Sequence, residues 1–179
     1  MAIKGSIFPN QIPTAAQLGA TFKPLYEDGV LHGCNVTYSG SNAVIAAGMI
    51  IACGRVFEIT SSTYVALSGS GFARVIINID TSKASTASEF NQVSLTAQTA
   101  ATEAAFPALT KGDVNDSGTL YQCELARFAI SSGNITRKVS QLGAVGISAA
   151  FCKFLTADYY GDNLPAAGNK GRIFFKRLT

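Results

Sequence analysis

A two-residue alternation of apolar and polar side chains runs through most of this chain and predicts β-strands. The strongest example is Phe72–Asp80, in which β-branched residues dominate and turn-forming residues lie on both sides. The face predicted to be buried consists of Ala73, Val75, Ile77 and Ile79. The opposite face carries Arg74 and Asn78, and we expect a second layer or a neighbouring subunit to cover it.

Shorter alternating segments before and after this strand predict further strands that pair with it. A hairpin is predicted at Met49–Ala52 and Arg55–Ile59, with Cys53 and Gly54 as its turn. Other strands are predicted at 34–38, 43–46, 63–67, 92–97, 121–130 and 135–139. In the segment 121–130, strict alternation predicts one face made of Tyr121, Cys123, Leu125, Arg127 and Ala129. Strands separated by turns roughly every ten residues favour a mainly β fold, an antiparallel β-sandwich or a barrel-like domain.

The two ends of the chain depart from this pattern. Residues 1–13 contain two prolines and predict an extended arm, and Thr14 is the predicted N-cap of a short helix. Near the other end, strands at 149–156 and 172–178 predict a C-terminal β-hairpin extension. The predicted division is an arm with a short helix at 1–27, a β-sandwich core at 28–143 and the hairpin extension at 144–179.

The low content of charged residues is unusual for a soluble domain. Charged residues make up 14% of the sequence, against about 25% in typical globular domains. Interfaces between subunits are depleted of charge in the same way, so the composition favours assembly. The net charge of +3 does not predict nucleic-acid binding. No apolar run is long enough for a membrane span or a signal peptide.

Residue types that carry chemistry are scattered. The four cysteines, Cys34, Cys53, Cys123 and Cys152, stand singly in apolar contexts and predict buried free thiols. The single histidine, His32, lies in a predicted loop, and the sequence has no GxSxG motif whose serine it could activate. Asp113, Asp116 and Glu124 lack the spacing of a calcium loop, and the polar run Asp113–Gly118 predicts a turn. The sequence therefore predicts no catalytic residues, no metal site and no cofactor.

Two groups of side chains are candidates for binding. Tyr159, Tyr160 and Asp162 combine aromatic rings with a carboxylate, which suits a sugar; buried loop tyrosines are the alternative. Apolar residues in the arm, in the predicted loop 98–118 and in the last strand are candidate assembly contacts. They are Ile7, Phe8, Ile12, Phe106, Leu109, Phe174 and Phe175.

Several segments follow one another in a fixed order between residues 25 and 140. They are Asp28–Thr37, Gly48–Arg55, Ala73–Asp80, Glu89–Val93, Phe106–Thr110, Gly118–Tyr121 and Glu124–Arg127. In this order they resemble structural proteins of tailed bacteriophages, in the region that looks like a baseplate or tail-fibre attachment domain. The ending, with Tyr160–Pro165 and Gly171–Lys176, is similar to short endings of phage tail, head-fibre or receptor-binding chains.

This resemblance implies a non-enzymatic virion protein, made in the cytoplasm of a host bacterium. Its partners would be other copies of itself, as a trimer or six-fold ring, and other virion proteins, with neither nucleic acid nor membrane. The chain is short for this family, which favours a connector or coating subunit. The alternative is a receptor-binding module that recognises a glycan of the host surface.

Overall fold

The computed structural model describes residues 13–86 and 90–149, together with the backbone of 160–161 and 175–176. A helix, α1 (Ala15–Phe22), precedes the strands, and a short 3₁₀ helix forms at Glu103–Ala105. The strands of the main body are β1 (Gly29–Gly33), β2 (Val36–Ser39), β3 (Asn42–Ile45), β4 (Gly48–Ala52), β5 (Arg55–Ile59), β6 (Thr63–Ala66), β7 (Gly71–Asp80), β8 (Val93–Ala100), β9 (Leu120–Ser131) and β10 (Asn134–Gln141). Among the described residues, no helix is both long and apolar enough to cross a membrane.

Three antiparallel sheets share one hydrophobic core. Their strand orders are β10-β9-β7-β8, β2-β3-β6 and β1-β4-β5. Side chains from all three meet in the core, for example Ile45, Ile50 and Phe128, which are fully buried. The mainly β, antiparallel fold with a short N-terminal helix is therefore confirmed.

β7 is the central strand that the sequence predicts. It pairs with β8 on one side and with β9 on the other. The side chains of Ala73, Val75, Ile77 and Ile79 are at most 3% exposed, so this predicted core face is confirmed. The other face of β7 is also covered, and its polar residues are described below.

β9 departs from the strict alternation that the sequence predicts. Leu125 and its neighbour Ala126 are both fully buried, whereas Arg127 lies on the opposite face of the sheet from Leu125. The cause is a bulge, because Ala126 lies opposite Val75 but Glu124 lies opposite the next residue of β7. The predicted single face is therefore wrong beyond this point, since one extra residue reverses the side-chain parity.

The predicted loop around His32 is part of a strand. β1 contains this histidine and pairs with β4. The segment 143–148 also runs beside residues 25–30, where the N–H of Val145 donates to the carbonyl of Val30 at 3.0 Å. The predicted boundary between 143 and 144 thus falls in a segment that is hydrogen-bonded to the body.

The C-terminal pairing differs from the predicted hairpin. β11 (Tyr160–Gly161) and β12 (Phe175–Lys176) run parallel, whereas a hairpin joins antiparallel strands. Parallel neighbours need a crossover connection rather than a tight turn. Most of the predicted strand 149–156 lies outside the described residues.

α1 begins at the N-cap that the sequence predicts. Thr14 and Gln17 form a capping box, in which each side-chain oxygen accepts from the other residue's backbone N–H, at 3.2 and 2.8 Å. The helix packs on the turn between β4 and β5 through two glycines. Gly54 has a φ of +72°, and a Cβ there would lie 2.1 Å from the carbonyl oxygen of Gly19. α1 therefore sits as close to the sheet as the backbone allows.

This close approach makes Gly54→Ala more damaging than a comparable glycine substitution elsewhere. Gly133 has a similar φ, +78°, but a Cβ there meets no atom within 4 Å. Gly133→Ala should destabilise through the left-handed backbone alone, by about 1–2 kcal/mol. Gly54→Ala should lose roughly 1–3 kcal/mol more, because α1 has to shift. Denaturant unfolding of both variants checks this, and equal losses would show that the helix contact is not tight.

Candidate functional site

An apolar depression lies between α1, β5 and the start of β8. It has a volume of about 260 Å³, and its lining includes Leu18, Phe22, Val56, Phe90 and Val93. Phe90 and Val93 also line a second depression, which continues toward Tyr64 at the edge strand β6. We call the two together the apolar groove. Its exposed large apolar side chains are Leu18, Val56, Tyr64 and Phe90, at 41%, 48%, 66% and 61%.

β5 contributes apolar side chains to the groove. Val56 is 48% exposed and Phe57 is 7% exposed, and both line the first depression. The guanidinium of Arg55 at the groove wall is already engaged, since it donates to the side-chain oxygen of Asn115 at 2.6 Å and to the carbonyl of Val114 at 2.9 Å. The surface of the first depression is therefore mostly hydrocarbon, whereas the second also carries polar side chains, among them Glu58 and Thr63.

A second feature is the polar outer face of the four-stranded sheet. Its polar residues are Arg74, Asn78, Gln98, Gln122, Glu124 and Arg127, and Ile76 is buried among them. Arg74 is 5% exposed; its guanidinium donates to Gln98 at 3.0 and 2.7 Å and to the carbonyl of Pro107. Burial lowers the pKa of Arg74, and the carboxylate of Glu124, 3.7 Å away, opposes that shift.

The residues after β8 cover this outer face. The ring centroid of Phe106 lies 4.6 Å from the guanidinium carbon of Arg74 and 5.5 Å from that of Arg127. Arg127 also donates to Glu103 at 2.8 Å and to Glu124 at 2.8 and 3.0 Å. These carboxylates raise the pKa of Arg127. The second layer expected over β7 thus comes from the chain itself.

Amide side chains complete the cover at its far end. The Gln122 amide donates to the oxygen of Asn78 at 2.7 Å, and Asn78 donates to the hydroxyl of Thr96 at 2.9 Å. The oxygen of Gln122 accepts from the backbone of Thr110 at 3.0 Å. Among the described residues, every buried side-chain nitrogen or oxygen has a hydrogen-bond partner. The outer face is therefore a satisfied structural network.

A third cluster joins the start of β1 to β9. The Tyr121 hydroxyl donates to the carboxylate of Asp28, which also accepts from the backbone of Cys53 at 2.9 Å. Lys111 donates to the Tyr121 oxygen at 3.0 Å and lies 4.3 Å from the centroid of its ring. Burial, together with the hydrogen bond to Asp28, raises the pKa of Tyr121. The phenol is neutral at physiological pH and acts as a donor.

Three of the cysteines are buried free thiols, as predicted: Cys34, Cys53 and Cys123. Burial raises the pKa of all three, and that of Cys123 reaches about 12. Because the thiolate is the reactive form, these thiols behave as small apolar core groups at neutral pH. Cys152 lies outside the described residues.

The predicted turn at residues 113–118 is confirmed. The backbone of Gly118 and the backbone of Asp116 both donate to the carbonyl of Asp113, and the carboxylate of Asp113 pairs with Lys23 at 2.6 Å. Glu124 lies on the outer face instead. No group of three or more His, Cys, Asp or Glu side chains suited to a metal ion occurs within the described ranges.

The predicted binding residues have different outcomes. Phe106 and Leu109 are half-buried, and the ring of Phe106 packs within the chain under the two arginines. The backbones of Tyr160 and Phe175 pair with each other, and their side chains are not described. The others, Ile7, Phe8, Ile12, Tyr159, Asp162 and Phe174, lie outside the described residues.

Sequence reasoning did not find the apolar groove. The sequence predicts a short helix after Thr14 and a hairpin strand at Arg55–Ile59, which form two of its walls. Neither pattern says that these elements and Phe90 converge, because they are distant in sequence. An apolar residue on the solvent side of a hairpin, as at Val56, was the available signal.

No protein-family model matches this sequence. A search of curated proteins also finds no match. The resemblance to phage structural proteins therefore stays a prediction from the sequence.

The raised pKa of Tyr121 predicts a loss of stability in alkali. A phenol in the unfolded chain ionises near pH 10, while the folded phenol resists ionisation, so the stabilisation is complete below about pH 10 and declines above it. Tyr121→Phe should cost about 1–3 kcal/mol at neutral pH, through the lost bond to Asp28. The difference in unfolding free energy between this variant and the native chain should shrink above about pH 10, because the native chain loses the stabilisation that the variant lacks.

Urea unfolding at pH values from about 8 to 11 measures this difference. The matched control is Tyr64→Phe, because the ring of Tyr64 is 66% exposed. The control should show the native pH dependence. If the loss of unfolding free energy in Tyr121→Phe stays constant across this pH range, the raised pKa of Tyr121 is contradicted.

Proposed function

We propose that this protein is a non-enzymatic structural subunit of a tailed-phage virion, which works by oligomerising and docking to other virion proteins. The observation that carries the proposal is the apolar groove. Its exposed large apolar side chains line two adjoining depressions beside α1, β5 and β8. Contiguous apolar surface of this kind is typical of a protein–protein contact.

The composition supports the same function. Only 14% of the residues are charged, and the described ion pairs draw on several of them. Arg74, Glu124 and Arg127 are engaged with each other and with the cover of the outer face. A low content of charged residues is typical of proteins whose surfaces contact other subunits.

The groove alone offers too little apolar surface to hold a stable complex. Burying the exposed halves of four large side chains would contribute roughly 3–6 kcal/mol. Association of two proteins costs about 4–15 kcal/mol in lost freedom. The groove therefore needs additional contact surface to hold a stable complex, as expected when several copies assemble symmetrically.

The alternative proposal is a module that binds a host-surface glycan through Tyr159, Tyr160 and Asp162. The side chains of these residues lie outside the described part of the chain. A purified chain that stays monomeric and binds glycans on an array would favour this function over assembly.

Removing the apolar character of the groove should weaken self-association. The double variant Val56→Ser with Phe90→Ser changes two side chains that are 48% and 61% exposed, so the fold should tolerate it. The native chain is expected to sediment as a trimer or a larger ring, and the double variant should shift toward the monomer at the same concentration.

Leu31→Ser is the matched control, because Leu31 is 41% exposed on β1 and does not line the groove. It should leave the distribution unchanged, and thermal unfolding checks that all variants are folded. A native chain that is monomeric at every concentration tested would overturn the proposed function. If both variants shift the distribution of oligomers toward the monomer equally, the groove is not part of the interface.

A further inference from the structure

We infer that the outer edge of β8 pairs with β8 of a second copy of this chain, antiparallel and about a two-fold axis. The inference rests on the proposed function, because it names a surface through which copies join. The pairing would unite the two four-stranded sheets into one continuous sheet. It also supplies contact surface of the kind that the groove alone lacks.

The backbone of β8 has hydrogen-bonding groups that face away from its sheet. Among the described strands, β7 is the one that pairs with it. The N–H of Asp80 donates to the carbonyl of Gln92 at 2.8 Å, and the direction of these groups alternates along an antiparallel strand. Every second residue of β8 therefore presents its N–H and C=O groups to the outside of the sheet. These residues are Val93, Leu95, Ala97 and Thr99.

β8 lacks the features by which edge strands usually avoid pairing. It contains no charged residue and no proline, and its register with β7 runs without a bulge. Its eight residues exceed the usual strand length of about five or six. Thr96 and Ala97, in the middle of the strand, are exposed. A long, uncharged and accessible edge of this kind is a site of association.

The opposite edge of the same sheet is protected. β10 carries Arg137 and Lys138, and its register with β9 shifts at two places. The ammonium of Lys138 donates to the carbonyl of Val36 at 2.7 Å, and the hydroxyl of Tyr38 donates to the carbonyl of Thr136 at 3.4 Å. Charges, bulges and contacts with β2 thus block further pairing at β10. Association through β8 therefore ends at two copies and does not continue into a fibre.

The sequence of β8 suits pairing with itself. Because the strand is uncharged, an antiparallel copy brings no like charges together. A two-fold axis through Thr96, perpendicular to the sheet, places Leu95 opposite Ala97 of the second copy and the two Thr96 side chains opposite each other. Facing threonines are a favourable cross-strand pair. The same axis continues the core face of one sheet into the core face of the other.

This register also brings the second copy beside the apolar groove. Val93, Ser94 and Leu95 of β8 line the second depression of the groove. With the axis at Thr96, Thr99 of the second copy lies opposite Val93, so the paired strand ends at the wall of that depression. The groove and the edge of β8 then form one contact surface. A three-fold arrangement of such pairs is a closed assembly.

Crosslinking through Thr96→Cys in the full-length chain tests the pairing. The variant also carries Cys152→Ser, because Cys34, Cys53 and Cys123 are buried. In the proposed register the two Thr96 residues form a non-hydrogen-bonded pair, whose Cα atoms lie about 4.5 Å apart. That distance is within the range of disulfides. Mild oxidation should therefore give a covalent dimer on a non-reducing gel.

Thr99→Cys, with the same Cys152→Ser change, is the matched control, because Thr99 is another exposed threonine of β8. In the proposed register the two copies of residue 99 lie about 20 Å apart along the strands. This variant should give no covalent dimer. Equal crosslinking at both positions would overturn the two-fold pairing centred on Thr96.

Charge exchange at the same position tests the pairing without a covalent bond. Thr96→Lys and Thr96→Glu each place like charges opposite each other, and both lose the same hydrogen bond from Asn78, so they are matched to each other. Each alone should self-associate up to roughly fivefold more weakly than the native chain. An equimolar mixture should associate more tightly than either variant, as sedimentation velocity would measure. The absence of any gain on mixing folded variants overturns the inference.

Failure of the inference and failure of the proposed function are distinguishable. A native chain that oligomerises, but gives neither a Thr96→Cys dimer nor a gain on mixing, overturns the inference alone. A native chain that is monomeric at every concentration overturns the proposed function with it. A covalent dimer at Thr96→Cys without one at Thr99→Cys supports both.

Discussion

The burial of β7 on both faces is the constraint on which the rest of the structure depends. On one face its alternating apolar residues meet side chains from the other two sheets. On the other face it carries Arg74, a cation that is 5% exposed. A buried charge without partners would cost several kcal/mol, so Gln98, Glu124 and the carbonyl of Pro107 have to remain in place. The cover of the outer face is thereby fixed to the sheet.

This constraint also determines where open surface remains. The outer face is closed by the chain itself, and the bulge at Leu125 and Ala126 lets β9 fill the core while Arg127 turns outward. α1 is held against the turn of β4 and β5 by the contact of Gly19 with Gly54. Leu18 and Phe22 of α1 line the depression beside this contact, together with Val56 and Phe57 of β5. The apolar groove is the result.

Local patterns in the sequence were sufficient for the elements but not for their convergence. The alternation in β7, the N-cap at Thr14 and the hairpin of β4 and β5 each depend on neighbouring residues, and each is confirmed. The bulge in β9 was not predictable, because it is defined by the register with another strand. The groove was missed for the same reason, since α1, β5 and Phe90 come together only in the folded chain.

The energetic limit of the groove connects the fold to assembly. Its exposed apolar side chains contribute too little to hold two bodies together unaided. An assembly through the groove would therefore need further surface beside it, and a closed symmetric ring would repeat that combined contact at every copy.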